Sequence, residues 1–397
     1  MEKIQNIQAG YLIDGSGDAV RENMLIRMEK GTFREIRPVC ASDPPLGNFL
    51  DLSDYTLLPA LADAHLHLFM SGTADPEIRE KQLYADFSEM KTVISDHLEQ
   101  LMRWGVLAVR DGGDYAAHAL RFRDECADPA EIRVCIKAAG KAWREEGRYG
   151  RLIGRPPGKN RNLAQAIAQE SQTADHVKIV NSGLNSLKHF GKETPPQFRP
   201  EDLAAGIRQA HEMGQKVMVH CNGRLPVKAA VEAGCDSVEH GFFMGKENLW
   251  RMAERQTFWV PTAITMKAYA QQLPPGSAEA GIAQRNYEHQ LKQISLARKL
   301  GVPIAVGTDA GSLGVFHGRA VAEEMKILMR AGYSLPQAVQ CATSQSMKLM
   351  GIPNRGRIVP DSEATFIAVK GKAENITEMQ KEMLLFIRGK RVYPASV

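Results

Sequence analysis

Residues 63–68 read DAHLHL, which sets His65 and His67 two positions apart directly after an apolar run. In a strand, residues i and i+2 face the same way, so both imidazoles can point at one cation. Taken alone, such a pair is more often a strand whose polar face happens to carry two histidines than a metal site. Four more residues of metal-binding or acid–base type lie further along. They are Lys178 in HVKIV, His220 closing KVMVH, His240 closing DSVEH and Asp309 closing VPIAVGTD. Imidazole nitrogen and carboxylate oxygen together suit Zn²⁺ or another divalent first-row metal.

These residues converge only if the segments that carry them share one end of a fold. Eight short apolar runs recur: 57–63, 105–111, 132–138, 176–180, 216–220, 236–240, 257–261 and 302–309. Longer amphipathic segments separate them, including SDHLEQLMRWG, EDLAAGIRQAHEMG, LPVKAAVEAG and HQLKQISLARKLG. Each of these four ends at glycine, a helix stop. Eight strand–helix units predict an α/β fold, a (β/α)8 TIM barrel over residues 59–355. Such barrels place chemistry at the C-terminal ends of their strands, where these residues fall. Residues 1–58 and 356–397 read instead as short strands broken by Gly, Asp, Ser and Pro, which predicts a small β-sandwich domain built from both termini. Two helical segments follow the eighth run, the second with Ser334 as its N-cap.

Composition narrows the class. Of 397 residues, 44% are hydrophobic and 24% charged, as in a soluble globular protein, and a net charge of +4 is too mild to point to nucleic acid. Six cysteines are scattered with no C-x-x-C pair, which suggests reduced thiols and a cytoplasmic setting. The N-terminus lacks the apolar core of a signal peptide, and no apolar run reaches the roughly 20 residues of a membrane span. The expected partner is a small-molecule substrate, with no nucleic acid and no membrane; a homo-oligomer is compatible with everything in the sequence.

The ordered segments PALADAHLHL, GVLAVRDGGD, ADHVKIVNSG, VMVHCNG, AGCDSVEHG, WVPT, GVPIAVGTDAGS and HGRAVAEEMKILMRAGYSLPQAVQCAT resemble the amidohydrolase superfamily. The likeness is to its binuclear members with a carboxylated lysine, the imidazolonepropionase-related hydrolases that include Xaa-Pro and Xaa-Arg dipeptidases. It extends from about residue 10 to the C-terminal strands. It implies two divalent ions, with His65, His67 and Asp309 on the more buried one and His220 and His240 on the second. It further implies that Lys178, carboxylated by CO2, and a hydroxide bridge the two. Asp309 would then be the catalytic proton carrier. The implied activity is hydrolysis of an amide bond, in a dipeptide or an N-acyl amino acid with a free carboxylate.

Substrate residues are read from the loops. Residues 140–161 carry Lys141, Arg144, Arg148, Arg151, Arg155, Lys159 and Arg161 against Glu145 and Glu146. That loop is either a solvated charged surface or an electropositive lid for an anionic substrate, with Arg144 and Arg148 as contacts. Tyr149 stands where relatives often carry histidine, and Asn222 replaces a commoner residue after the fifth run. His317 is either a substrate contact or a cap of the helix that follows. Met266 and Tyr269 either line the pocket or form an apolar helix face. Other chemistries share such a site. A lactonase, esterase or phosphotriesterase would use the same hydroxide. A mononuclear deaminase needs a glutamate in an H-x-x-E sequence, which is missing after His220 and His240. A non-catalytic scaffold protein would have lost ligands, whereas all six are present.

Overall fold

Strands open and close the chain, and the alternating middle lies between them. The computed structural model describes residues 6–40, 49–126, 133–170, 173–372, 374 and 382–393. The first strands are β1 (Asn6–Leu12), β2 (Arg21–Glu29), β3 (Thr32–Pro38) and β4 (Phe49–Pro59). Lys30 and Gly31, both at positive φ, form the tight turn between β2 and β3. Next come β5 (Leu61–Leu66), β6 (Val106–Asp111), β7 (Cys135–Ala138), β8 (Ala142–Trp143) and β9 (Gly154–Arg155). They are followed by β10 (His176–Val180), β11 (Lys216–Cys221), β12 (Ser237–His240) and β13 (Phe258–Val260). The chain closes with β14 (Phe366–Lys370), β15 (Met383–Ile387) and β16 (Lys390–Tyr393).

The terminal strands form one seven-stranded sheet in the order β16-β15-β14-β4-β1-β2-β3. It curls, because Phe33 of β3 reaches Phe366 of β14 at a centroid separation of 5.8 Å although three strands, β4, β1 and β2, lie between them in the sheet. Ile7, Leu12, Phe33, Phe366 and Phe386 fill its interior. The middle strands form two parallel sheets, β5-β6-β7 and β13-β12-β11-β10-β8-β9. The fold is therefore mixed α/β with a separate β-rich region.

Two expected strands differ from the observed ones. The run 57–63 is not one strand: β4 ends at Pro59 and β5 begins at Leu61. The eighth run and the residue after it make only isolated bridges, Trp259 with Ile304 and Leu66 with Ala310. Its backbone is nonetheless bonded on both sides. Trp259 N–H donates to Pro303 O at 2.9 Å, Ala64 N–H to Val306 O at 2.8 Å, and Thr308 N–H to His65 O at 3.0 Å. Gly307 explains the tight approach: a Cβ there would lie 2.4 Å from Val260 Cγ1 and 2.8 Å from the His65 backbone nitrogen. On the far side, Asp175 N–H donates to Ala138 O at 3.0 Å, linking the end of β7 to the start of β10.

The helices follow their sequence signals. The glycine stops at Gly105, Gly214, Gly234 and Gly301 all take positive φ. Ser334 caps its helix through a reciprocal bond pair with Gln337. Two helices after β5 matter below: α1 (Pro76–Tyr84), capped by Asp75, and α2 (Phe87–Arg103). Cys135, Cys221, Cys235 and Cys341 are free thiols; the Cys126 side chain lies outside the described residues. Among the described residues no helix is long and apolar enough to cross a membrane.

Candidate active site

The C-terminal ends of the parallel strands surround one cavity of about 270 Å³. His65 and His67 at the end of β5, Lys178 on β10, His220 on β11, His240 on β12 and Asp309 after the eighth run all line it. His65, His67 and Asp309 each offer a ligand atom within 4.8 Å of the others. Asp309 Oδ1 lies 3.6 Å from His65 Nε2 and 3.5 Å from His67 Nε2. The His240 ring is 4.9 Å from that of His65 and 4.5 Å from that of His220. The i, i+2 argument holds for the first pair, since both rings turn to the same cavity.

Hydrogen bonds fix which nitrogen each ring presents. His67 Nδ1 lies 2.8 Å from Gly113 O, and a carbonyl only accepts, so Nδ1 carries the proton and Nε2 keeps its lone pair. His65 Nδ1 is held the same way by the Glu239 carboxylate, Oε2 at 2.8 Å. His220 is reversed: Nε2 faces Gly183 O at 3.3 Å, which leaves Nδ1 as the donor of electrons. His240 Nδ1 pairs with Thr262 Oγ1 at 2.7 Å. Metal-ligating histidines carry such partners as a rule. Burial keeps all four rings neutral. It pushes His67 down to about 4 and His220 to about 3, with the Lys178 charge adding to both, and depresses His65 and His240 well below the usual range.

Lys178 is the unusual member. Its side chain is fully buried, and its Nζ has no hydrogen-bond partner among the described residues. A buried ammonium without acceptors is costly, and burial lowers its pKa to about 8, opposed by the Glu239 charge. A buried carboxylate faces the opposite pressure, and desolvation raises Asp309 to about 6. Asp309 also receives the Ser312 hydroxyl at 3.1 Å on Oδ2. The backbone is unusual here too. His240, Thr262 and Asp309 all have φ between +45° and +66°, a region non-glycine residues rarely adopt and that clusters at functional sites.

Of the substrate residues expected from sequence, Tyr149 and Asn222 line the cavity, with the Tyr149 ring 5.4 Å from that of His220. Arg144, Arg148 and His317 do not. Arg144 turns inward to the carbonyls of Glu145 and Gly154, and Arg148 donates to Pro195 O. From this loop the cavity takes only uncharged residues, Tyr149, Gly150, Leu152 and Ile153. Arg155 stacks on Trp143 and pairs with Glu170. His317 is buried, stacked on His97 at 3.9 Å, and its Nε2 donates to His67 O at 3.2 Å. It braces a candidate ligand from behind. Met266 and Tyr269 are cavity residues.

Glu239 reads from sequence as structural, whereas Arg110 and Arg79 were not singled out. Arg110 and Glu239 form a buried ion pair at 2.9 Å that holds His65. A charged residue within the apolar run GVLAVRD was the available signal. Arg79 of α1 also lines the cavity, and PEIREKQLY reads as an ordinary solvated helix, so nothing marked it.

Known proteins show the same frame. The profile of the Amidohydrolase family matches residues 56–392. An uncharacterized protein of Mycobacterium tuberculosis is 27% identical over 314 residues, 75% of each chain. Ochratoxinase of Aspergillus niger is 23% identical over 410 residues, 93% of this chain and 81% of that one. A solved Xaa-Pro dipeptidase with methionine bound in the active site superposes with a TM-score of 0.81 at 27% identity, covering 98% of this chain and 99% of that one.

Proposed function

The chain belongs to the amidohydrolase family, and from that premise we propose that it is a metal-dependent hydrolase of amide bonds, acting on a dipeptide or N-acyl amino acid with a free carboxylate. The observation that carries this reading is Lys178: a buried amine without a hydrogen-bond partner, in a cavity shared with four neutral histidines and a carboxylate. That donor set fits two divalent cations, zinc foremost, and a lysine that reacts with CO2 to become an anion able to touch both. The named relatives point the same way, since a dipeptidase and, by its name, ochratoxinase belong to this frame.

His65, His67 and Asp309 would hold one cation through His65 Nε2, His67 Nε2 and Asp309 Oδ1. His220 Nδ1 and the free nitrogen of His240 would hold the other. Bound there, two cations supply an activated water and a Lewis acid for the scissile carbonyl. Asp309 accepts the proton of the attacking water and returns it to the leaving amine nitrogen. Ser312 fixes the Asp309 carboxylate for that transfer. Tyr149 and Asn222 stand where a bound substrate would meet the cavity wall. Around the site we read the two parallel sheets as one closed (β/α)8 barrel over residues 59–355. The bonds of 303–308 to β13 and β5, and of Asp175 to Ala138, support the closure. The curled terminal sheet would be the second domain, from 1–58 and 356–397.

The test is a screen of metal-loaded protein against dipeptides, N-acyl amino acids, lactones and phosphoesters, beside the metal-stripped protein and Asp309→Asn. Amide cleavage should require metal and fall by about 100-fold or more in Asp309→Asn with the fold retained. Cleavage of lactones or phosphoesters alone would replace the amide reading with that of an esterase. Full activity in Asp309→Asn would remove the assigned proton carrier.

A further inference from the structure

Arg79 is the one cationic side chain among the described residues that line the cavity besides Lys178. It is half-buried on the inner face of α1, one turn from Leu83, which lines the same cavity. One terminal nitrogen, Nη1, donates to Ser71 O at 2.7 Å and Gly311 O at 3.1 Å, with Thr73 O at 3.4 Å. Gly311 lies two residues after Asp309, so these bonds tether the guanidinium to the loop that carries the candidate proton carrier. Nε and the other terminal nitrogen have no hydrogen-bond partner, and no carboxylate lies within ion-pair distance, among the described residues. That leaves open the edge of the fork that takes a carboxylate through two parallel bonds. A partly desolvated cation with no counter-charge is costly, and an incoming anion would offset that cost. The surrounding wall is apolar: Phe69, Met70, Leu83, Leu152, Leu184 and Leu187. Leu152 and Leu184 are exposed large hydrophobics at its rim.

We propose that Arg79 is a specificity-determining residue of this site, binding the free carboxylate of the substrate while the apolar wall takes a bulky hydrocarbon or aromatic group beside it. The inference rests on the hydrolase reading for its substrate class and moves the source of positive charge from the 140–161 loop to α1. Arg79 is a binding residue that carries no proton in the reaction, and its removal should act on KM before kcat.

The experiment pairs N-benzoyl-L-leucine with its C-terminal amide, following benzoate release by wild type, Arg79→Met and Arg79→Lys. Wild type should favour the acid. Arg79→Met should lose on the order of 100-fold in kcat/KM for the acid, mostly in KM, with the amide changed less than about twofold. Arg79→Lys should recover part of the loss, because it keeps a charge without the fork. Equal losses on both substrates would show that Arg79 only braces the 71–73 and 311 carbonyls, and would overturn the proposal. Calorimetry on the metal-stripped full chain separates the two readings. If neither of these substrates nor any amide of the screen above is cleaved by loaded protein, the hydrolase reading fails. Tighter binding of acid than amide, lost in Arg79→Met, would still support the carboxylate site, and no acid preference would overturn it.

Discussion

At the scale of the residue, Lys178 concentrates the chemistry. Its lowered pKa of about 8 makes the neutral, CO2-reactive amine accessible near physiological pH, where an exposed lysine would be almost wholly protonated. The sign follows directly. Below about pH 8 the neutral fraction falls roughly tenfold per pH unit, so carbamate formation weakens as the solution is acidified. Native mass spectrometry of protein incubated with bicarbonate and zinc should therefore show the mass of one added CO2 at pH 8 to 9 and little at pH 6. Lys178→Ala should lose that mass at every pH and bind one fewer cation, with partial return of activity in short-chain carboxylates. An added CO2 that persists in Lys178→Ala would move the carbamate to another amine.

At the scale of the element, strands are held in register by a few buried polar links, and Glu239 of β12 is the busiest. Oε2 takes His65 Nδ1 of β5, while Oε1 accepts Arg110 of β6 at 2.9 Å and the Ser237 hydroxyl; Arg110 Nε in turn donates to Ala64 O at 2.7 Å. Three strands thus converge on one carboxylate. Glu239→Gln replaces an acceptor with a donor that must face either the His65 N–H or the Arg110 guanidinium. Metal affinity should fall by about 10- to 100-fold in chelator competition. Urea denaturation should register a loss of about 3–5 kcal/mol, the usual cost of leaving a buried charge unpaired. Unchanged values would reduce Glu239 to a spectator. Elements were also what the sequence displayed best. The strand-end positions of His65, His220 and His240, and the four glycine stops, follow from local periodicity and turn chemistry. Where long-range contacts decide, the sequence is silent. The eighth run pairs too irregularly to be a ladder strand, Arg144 turns to its own loop, His317 stacks on His97, and Arg79 faces a cavity from a helix of ordinary surface composition.

At the scale of the whole molecule, the terminal sheet has an interior of its own and packs its other face into the core of the parallel sheets. The period-two alternation of β14 and β15 sends Phe366, Ala368 and Phe386 into the curled sheet, and Ile367, Val369, Met383 and Leu385 into the main core with Val106 and Leu107. Gly105, at the entry to β6, sits so close that a Cβ on it would lie 2.7 Å from Ile367 Cγ2. β4 also runs into β5 with one residue between them, so the sheet is joined covalently and by packing to the strand that carries His65 and His67. Shared burial of this kind predicts one cooperative unfolding unit. Ile367→Ala should cost about 2–5 kcal/mol, the range for such truncation in a packed core. All four tryptophans, Trp104, Trp143, Trp250 and Trp259, lie outside the terminal sheet. Their fluorescence should nevertheless report the full loss, with a urea midpoint lowered as far as that of far-UV circular dichroism. If the tryptophan transition keeps its wild-type midpoint while the dichroism shifts, the sheet unfolds on its own, and the packing across Ile367 does not couple it to the site.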